Sequence, residues 1–156
     1  MDFSEIASRL GYYFGEREVS ELVNALEIVE KPQLPKGDDT AYLVSEQRGV
    51  ELTFVDERYL DAPPTREYPE GALVLNNVRF YGVAGSRFKR FDGELPHGLA
   101  FGQTLDELKA KLGATTWESS DSDRARWDQP DHLIFAGFDD QGRADVYALQ
   151  MLVVEE

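Results

Sequence analysis

The chain has no cysteine among its 156 residues, so disulfide bonds, thiol nucleophiles and thiolate metal ligands are all excluded. Histidine is almost as rare, because only His97 and His132 occur. Neither belongs to a His-x-x-x-His or His-Glu pattern, the spacings that build zinc sites. We therefore expect two surface or structural histidines and no bound metal.

Long apolar runs are also absent, since no stretch approaches the roughly 18 apolar residues of a membrane-spanning helix. Residues 1–5 contain neither the basic region nor the apolar region that opens a secretory signal peptide. These two absences predict a protein that stays in the cytoplasm, where it is made, and that does not bind membranes.

Basic residues are few: sixteen lysines and arginines face thirty aspartates and glutamates, which gives a net charge of −14. Such a field repels nucleic acid and anionic membranes and attracts basic partners. In the alternative interpretation, the charge only keeps the protein in solution. At 42% hydrophobic and 12% aromatic residues, the chain has ample material for a packed core.

Catalytic motifs are missing as well. Ser86 lacks the Gly-x-Ser-x-Gly elbow of hydrolases, and the glycines after Phe14 and Phe101 stand alone rather than in a phosphate-binding loop. Residues 121–128 look like a calcium loop but lack its glycine at position six and its glutamate at position twelve. We therefore predict no catalytic residue, no cofactor and no enzyme activity. A hydrolase with an unrecognised site is the alternative.

Helical and strand periods follow one another in the first half of the chain. Between residues 19 and 26 the apolar residues recur at i, i+3, i+4 and i+7, which is typical of a buried helix face. Residues 50–54 alternate between apolar and polar, as in a half-buried strand. The predicted elements are helices at 4–11 and 17–29 and strands at 40–46, 49–56 and 72–82.

The best-marked helix lies in the second half. Thr104 and Glu107 have the spacing of a capping box, and Gly113 supplies the left-handed residue that often ends a helix. We therefore predict a helix over residues 104–112. A hairpin turn at residues 139–142 separates the last two apolar stretches. The predicted strands are 124–128, 132–139 and 143–153.

The two halves have the same order of elements. A Phe-Gly pair precedes an amphipathic helix in each half, at Phe14 and at Phe101, and strands of antiparallel type follow. A tandem repeat is the economical interpretation, and chance similarity of two amphipathic patterns is the alternative. We predict an α+β protein in which an antiparallel sheet packs against helices. Its two helix-then-sheet halves, residues 1–92 and 93–156, form one compact unit.

The same periodicities predict which side chains are buried. Trp127 is expected in the core, because a large aromatic residue on a strand is more often buried than exposed. The other predicted core residues are Leu22, Leu26, Leu52, Phe54, Val78, Phe80, Leu108, Leu112, Leu133, Phe135, Tyr147 and Leu149.

Residues 91–113 contain a pattern that recurs in bacterial proteins: Gly-x-Leu-Pro-x-Gly-Leu-x-Phe from Gly93 to Phe101, then a polar helix cap, an acidic helix start and a Leu-Gly ending. This pattern resembles the helix-plus-sheet module of small outer-membrane assembly lipoproteins and of β-lactamase inhibitor proteins, which contain two such modules. It is also similar to small proteins of polymorphic-toxin loci that act as immunity proteins. Ala114 stands where the module usually has proline, and the missing signal peptide argues against the first two roles.

The resemblance implies a non-catalytic immunity protein that inhibits a cognate toxin domain, and the charge favours a basic toxin. The missing signal peptide favours a toxin that acts in the cytosol. Acidic residues beside exposed aromatics suit such a partner, since charge steers the encounter and aromatics supply buried contact. The predicted contact residues are Trp117, Glu118, Asp121, Asp123 and Asp128, with Asp56, Glu57 and Tyr59 as a second surface. A self-associating housekeeping or stress protein is the alternative function.

Overall fold

The computed structural model describes residues 3–60, 66–83 and 88–152. Within these ranges, seven strands form one sheet in the order β1-β2-β3-β7-β6-β5-β4, and every neighbouring pair is antiparallel. The predicted α+β class with an antiparallel sheet is therefore confirmed. The strands are β1 (Thr40–Ser45), β2 (Val50–Asp56), β3 (Leu73–Tyr81), β4 (Trp117–Glu118), β5 (Arg124–Asp128), β6 (His132–Phe138) and β7 (Ala144–Met151).

Two α-helices and three short 3-10 helices accompany the sheet in the described part of the chain. The segment predicted as a helix at 4–11 is a 3-10 helix, and the amide of Gly11 then donates to Leu75 O at 2.9 Å, which ties the chain to β3. None of these helices is both long and apolar enough to cross a membrane. The helices are α1 (Arg17–Ala25), α2 (Leu105–Leu112), and the 3-10 helices Phe3–Arg9, Glu57–Tyr59 and Pro96–Gly98.

Helix α1 ends four residues earlier than the predicted end at residue 29. The amide of Ile28 donates to Val23 O and the amide of Glu27 donates to Asn24 O, both at 3.0 Å. These two bonds are the Schellman arrangement, which requires a left-handed residue just after the helix. Glu27 takes that role with φ of 58°. Glycine usually marks this position, so the sequence carried no visible sign of the helix end.

Helix α2 begins and ends as its sequence predicts. The amide of Glu107 donates to Thr104 Oγ1 at 3.3 Å, and the amide of Thr104 donates to Glu107 Oε1 at 3.4 Å. Gly113 follows the helix with φ of 91°. Local sequence alone fixes both ends, because the residues that satisfy the terminal backbone groups lie within the same ten residues.

The six predicted strands all exist, with ends that differ by one or two residues where they are described. The prediction missed β4, because two residues are too few for alternation to be visible. Ser86 and residue 153, the last residue of the predicted strand 143–153, lie outside the described residues.

One face of the sheet forms the core together with the helices. Side chains from α1, α2 and the first 3-10 helix join the buried cluster on this face. A row of paired residues crosses six strands there, and each of its members is at most 3% exposed. The row is Leu43, Leu52, Val78, Leu149, Ile134 and Trp127.

Ten of the twelve side chains predicted as core, and Trp127, are buried. The prediction is wrong for Leu112, which ends α2 and is half-buried, and for Phe135. Phe135 lies on the opposite face of the sheet from its neighbour Ile134, which is in the core. Because β6 is apolar at nearly every position, alternation gives no signal for which face of this strand points inward.

Candidate partner-binding surface

The second face of the sheet is built from residues that do not belong to the core cluster. Two rows of paired residues cross it from β1 to β5 or β4. The first row is Val44, Glu51, Arg79, Ala148, Phe135, Arg126 and Trp117. The second row is Tyr42, Thr53, Asn77, Gln150, Leu133 and Asp128. We refer to these two rows together as the open face.

A depression of about 460 Å³ lies on the N-terminal part of the open face. Asn76 is the extra residue of a β-bulge opposite β2, and such bulges bend a strand and increase its twist. The side chain of Asn77 donates to Gln150 Oε1 at 3.3 Å across the floor. The depression is lined by Tyr42, Glu51, Thr53, Asn76, Asn77, Arg79, Tyr81 and Gln150.

Trp117 and Asp128 are the predicted contact residues that lie on the open face. Trp117 is 42% exposed, and the guanidinium of Arg124 lies 5.8 Å from its ring centroid. Arg126 pairs with Asp128 at 2.9 Å. The structure therefore places arginines among the predicted acidic residues, and this end of the open face carries charges of both signs.

Glu118 points away from Trp117, because neighbouring residues of a strand face opposite sides of the sheet. Its carboxylate pairs with Lys109 Nζ of α2 at 3.2 Å and accepts from Thr115 Oγ1 at 2.6 Å. The hydrogen bond from Thr115, followed by the one from Lys109, lowers the pKa of Glu118. Glu118 thus fastens β4 to α2 and does not join the open face.

Asp121 and Asp123 lie in the turn between β4 and β5, at the edge of the sheet. The hydroxyl of buried Ser119 donates to Asp123 Oδ1 at 2.8 Å and accepts from the amide of Arg124 at 3.0 Å. Arg124 also approaches Asp123 at 3.6 Å. Both carboxylates remain exposed, so this turn extends the open face as an acidic rim.

The second predicted surface, at the end of β2, contains one internal residue and two exposed or half-exposed ones. Asp56 is 1% exposed, and Arg58 donates to its two carboxylate oxygens at 3.0 and 2.8 Å. The Arg58 hydrogen bond holds the pKa of Asp56 below its usual range. Glu57 accepts from the amide of Gly71, while Tyr59 is exposed. Three strands separate β2 from β5, so the two predicted surfaces are distinct.

The two histidines, far apart in the sequence, meet in the structure. His97 Nε2 lies 2.8 Å from His132 Nε2, and Asp131 Oδ1 lies 2.6 Å from His132 Nδ1. The ring centroids are 5.0 Å apart, so the two nitrogens face each other head-on. A metal ion between them would need two bonds of about 2.0 Å, which this gap does not allow. The contact is a hydrogen bond in which His97 donates, since Asp131 keeps the proton of His132 on Nδ1.

This pair joins the 3-10 helix Pro96–Gly98 to the start of β6, so both histidines have a structural role. Burial, followed by the neighbouring His132, lowers the pKa of His97, while Asp131 opposes that shift. Among the described residues, no group of three or more histidine or acidic side chains is arranged to hold a metal ion. No local sequence pattern marks the pair, because the contact joins two elements that are 35 residues apart.

Sequence reasoning also missed most residues of the open face. Glu51, Thr53 and Tyr42 occupy the polar positions of β1 and β2, so their outward direction was visible in the alternation. Whether these residues share a face with Phe135 or Arg126 depends on the order of the strands in the sheet, which the sequence does not state. Strand alternation together with a known strand order would have identified the residues of the open face.

Comparison with protein-family models, with curated proteins and with solved structures gives no match.

Proposed function

We propose that this chain is a non-catalytic binding protein of the immunity type, which inhibits a cognate toxin domain by covering it with the open face. The observation that carries the proposal is the open face itself, a sheet surface outside the core cluster on which aromatic side chains stand among ion pairs. Such a surface offers contact area and directional polar groups but no catalytic constellation.

The size of the open face supports this function. Seven strands spaced about 4.8 Å apart give a width of roughly 29 Å, and the strands other than the two-residue β4 average seven residues, a length of roughly 24 Å. Their product has the order of the ~800 Å² that each partner buries in a stable complex. The face is therefore large enough to hold one globular partner in a one-to-one complex.

The placement of aromatic residues fits a binding surface. Trp117 on β4 and Tyr42 on β1, which is 58% exposed, stand at the two ends of the open face, and Phe135 is half-buried between them. Tryptophan, tyrosine and arginine are the residues that most often dominate binding energy. We assign the anchoring role to Trp117 and Tyr42, with Arg79 and Arg126 as the polar contacts beside them.

The net charge of −14 supports a basic partner, such as a nuclease whose own substrate is anionic. The acidic rim at Asp121 and Asp123 attracts that partner from a distance, whereas the arginines of the open face pair with individual acids after contact. Association is then fast and salt-sensitive, and dissociation is set by the aromatic anchors. The partner acts in the cytoplasm, where we place this chain.

The course of the backbone supports a tandem origin of the two halves. In the first half, just before α1, the amide of Phe14 donates to Leu73 O at the start of β3 at 2.8 Å. In the second half, just before α2, the amide of Gly102 donates to Ala144 O at the start of β7, also at 2.8 Å. β3 and β7 then pair at the centre of the sheet. We propose that residues 1–92 and 93–156 are two copies of one helix-then-sheet unit, joined through this pair.

The test is to express the chain with the product of its neighbouring gene and to purify it by a tag on the chain. We expect a one-to-one complex and loss of that product's toxicity. Trp117→Ala and Tyr42→Ala should each weaken the complex at least about tenfold. Tyr59→Ala is the matched control, because Tyr59 is exposed but lies outside the open face. A neighbour that is neither bound nor inhibited, with a concentration-dependent dimer instead, contradicts the proposal.

A further inference from the structure

Strand β1 forms one edge of the sheet, and its sequence lacks the usual protection of an edge. Natural edge strands avoid pairing with other chains through lysines, proline, bulges or very short length. The six residues of β1 contain no charged residue and no proline, and the register with β2 has no shift along them. The edge is therefore chemically ready to pair with another strand.

The backbone groups on this edge point outward at alternate residues. The amide of Asp56 donates to Asp39 O at 2.9 Å, which fixes the phase of the ladder between β1 and β2. In an antiparallel pair, the hydrogen-bonded residues alternate with residues whose N–H and C=O face away. The amides and carbonyls of Tyr42 and Val44 therefore face outward.

A groove of about 540 Å³ runs along this edge. Its opposite wall is formed by Leu26, Glu27, Ile28 and Glu30, from the segment that follows α1, and no backbone hydrogen bond of the described residues joins this segment to β1. Tyr42, which lines the groove, is 58% exposed and provides apolar contact area. The groove thus combines free strand backbone with an exposed aromatic side chain.

The charge of the groove selects its occupant. Among the described residues that line it, Glu27, Glu30 and Glu46 are acidic and none is a lysine or an arginine. Glu27 also keeps a carboxylate at a backbone position with φ of 58°, where glycine would be less strained. A second copy of this chain would set like charges against each other, which is destabilising across paired strands.

We propose that the edge of β1 binds an extended, basic segment of a partner protein, which adds to the sheet as a further antiparallel or parallel strand. Backbone hydrogen bonds to Tyr42 and Val44 supply affinity, and lysines or arginines that reach Glu27 and Glu30 supply selectivity. This inference rests on the proposed function in that the toxin domain supplies the segment. Tyr42 belongs to both surfaces, so Trp117→Ala alone tests the open face, and the Val44 variants test the edge in an assay that contains only the peptide.

The direct probe is a fluorescein-labelled peptide of about eight residues that alternates lysine and valine, titrated against the whole chain. Val44→Pro removes one outward N–H and leaves the ladder to β2 intact, since proline is tolerated on the outer side of an edge strand. Val44→Thr keeps the N–H and is the matched control. We expect Val44→Pro to weaken binding at least about tenfold and Val44→Thr to change it less than about twofold.

Hydrogen exchange locates the peptide. Bound peptide should slow exchange of the Tyr42 and Val44 amides at least about tenfold, which mere charge attraction does not do. If Val44→Pro does not fold, the double variant Glu27→Lys and Glu30→Lys replaces it, and it should bind a glutamate-valine peptide better than the lysine-valine one.

Three results overturn the inference: no binding at about 1 mM peptide, equal binding by Val44→Pro, or no protection of the two amides. Trp117→Ala should leave peptide binding unchanged, because Trp117 lies at the opposite end of the sheet. If Trp117→Ala loses the complex with the toxin domain but the peptide tests fail, the edge site alone is refuted. If the peptide tests succeed but Trp117→Ala keeps the complex, the open face alone is refuted.

Discussion

The two edges of the sheet are built differently. The N-terminal edge is β1, six uncharged residues beside a groove, whereas the C-terminal edge is β4, which has only two residues. At β4 the side chains are occupied: Arg124 lies over Trp117, and Glu118 is paired with Lys109. A very short, ion-paired edge resists strand addition, and a longer uncharged edge invites it. The difference indicates that the C-terminal edge is protected against strand addition, whereas the N-terminal edge leaves strand backbone accessible.

The largest expected effect separates Trp117 on the edge strand β4 from Trp127 on the adjacent strand β5. Trp127 is 1% exposed and its Nε1 donates to Gly113 O at 3.0 Å, so Trp127→Ala should lower the free energy of unfolding by about 3–5 kcal/mol. Trp117→Ala should lower it by less than about 1 kcal/mol, because that side chain stands on the surface. Urea denaturation of both variants measures the difference. Similar losses in the two would mean that β4 is part of the core and not a binding edge.

These residues also mark how far sequence reasoning reaches. Helix α2 was predictable because Thr104, Glu107 and Gly113 satisfy its ends locally. The end of α1 was not, since Glu27 occupies a glycine position. Alternation correctly predicted which side chains of β2 point into the core. It failed for Phe135, because β6 is apolar at nearly every position.

The candidate surface was predictable only in part. The aromatic residues, the acids and the arginines near Trp117 and Asp128 are visible in the sequence as a local cluster, but the pairing of Arg124 with Asp123 and of Arg126 with Asp128 is not. The open face and the contact of His97 with His132 depend on strand order and long-range packing. A single sequence does not encode either in any local pattern.

The next effect tests the region at the N-terminal side of the sheet, where β2 ends. Asp56→Ala removes the acceptor of Arg58 and of the turn amide, so the free energy of unfolding should fall by about 1–3 kcal/mol. Glu57→Ala, the neighbouring acid, should cost less than about 0.5 kcal/mol because its single contact is exposed. Thermal or urea denaturation gives both values. Equal costs would mean that Asp56 has no special structural role and is available for contact with a partner.

A pH effect is expected on the C-terminal side, at the His97–His132 contact. The folded state holds the pKa of His97 below its usual value of 6.5, so the folded protein binds fewer protons than the unfolded one. The stability from neutral His97 is therefore fully present above pH 6.5 and is lost as the pH falls through the lower pKa of the folded state. His97→Gln should remove this part of the pH dependence between pH 7 and pH 5. Denaturation midpoints across that range decide it, and an unchanged slope in the variant would assign the effect to other groups.

The smallest expected effect returns to the groove at the N-terminal edge. Glycine adopts φ of 58° without the steric cost that Glu27 bears, so Glu27→Gly should raise the free energy of unfolding by about 0.5–1 kcal/mol. The same change removes one of the three carboxylates that line the groove and should weaken binding of the lysine-valine peptide about threefold or more. Glu70→Gln is the control for charge alone, because Glu70 is exposed, makes no ion pair with a described residue and does not line the groove. A variant that gains stability and loses peptide affinity would mean that the protein tolerates backbone strain at residue 27 because the Glu27 carboxylate contributes to peptide binding. A gain in stability with unchanged affinity would leave the Schellman ending of α1 intact but remove Glu27 from the binding groove.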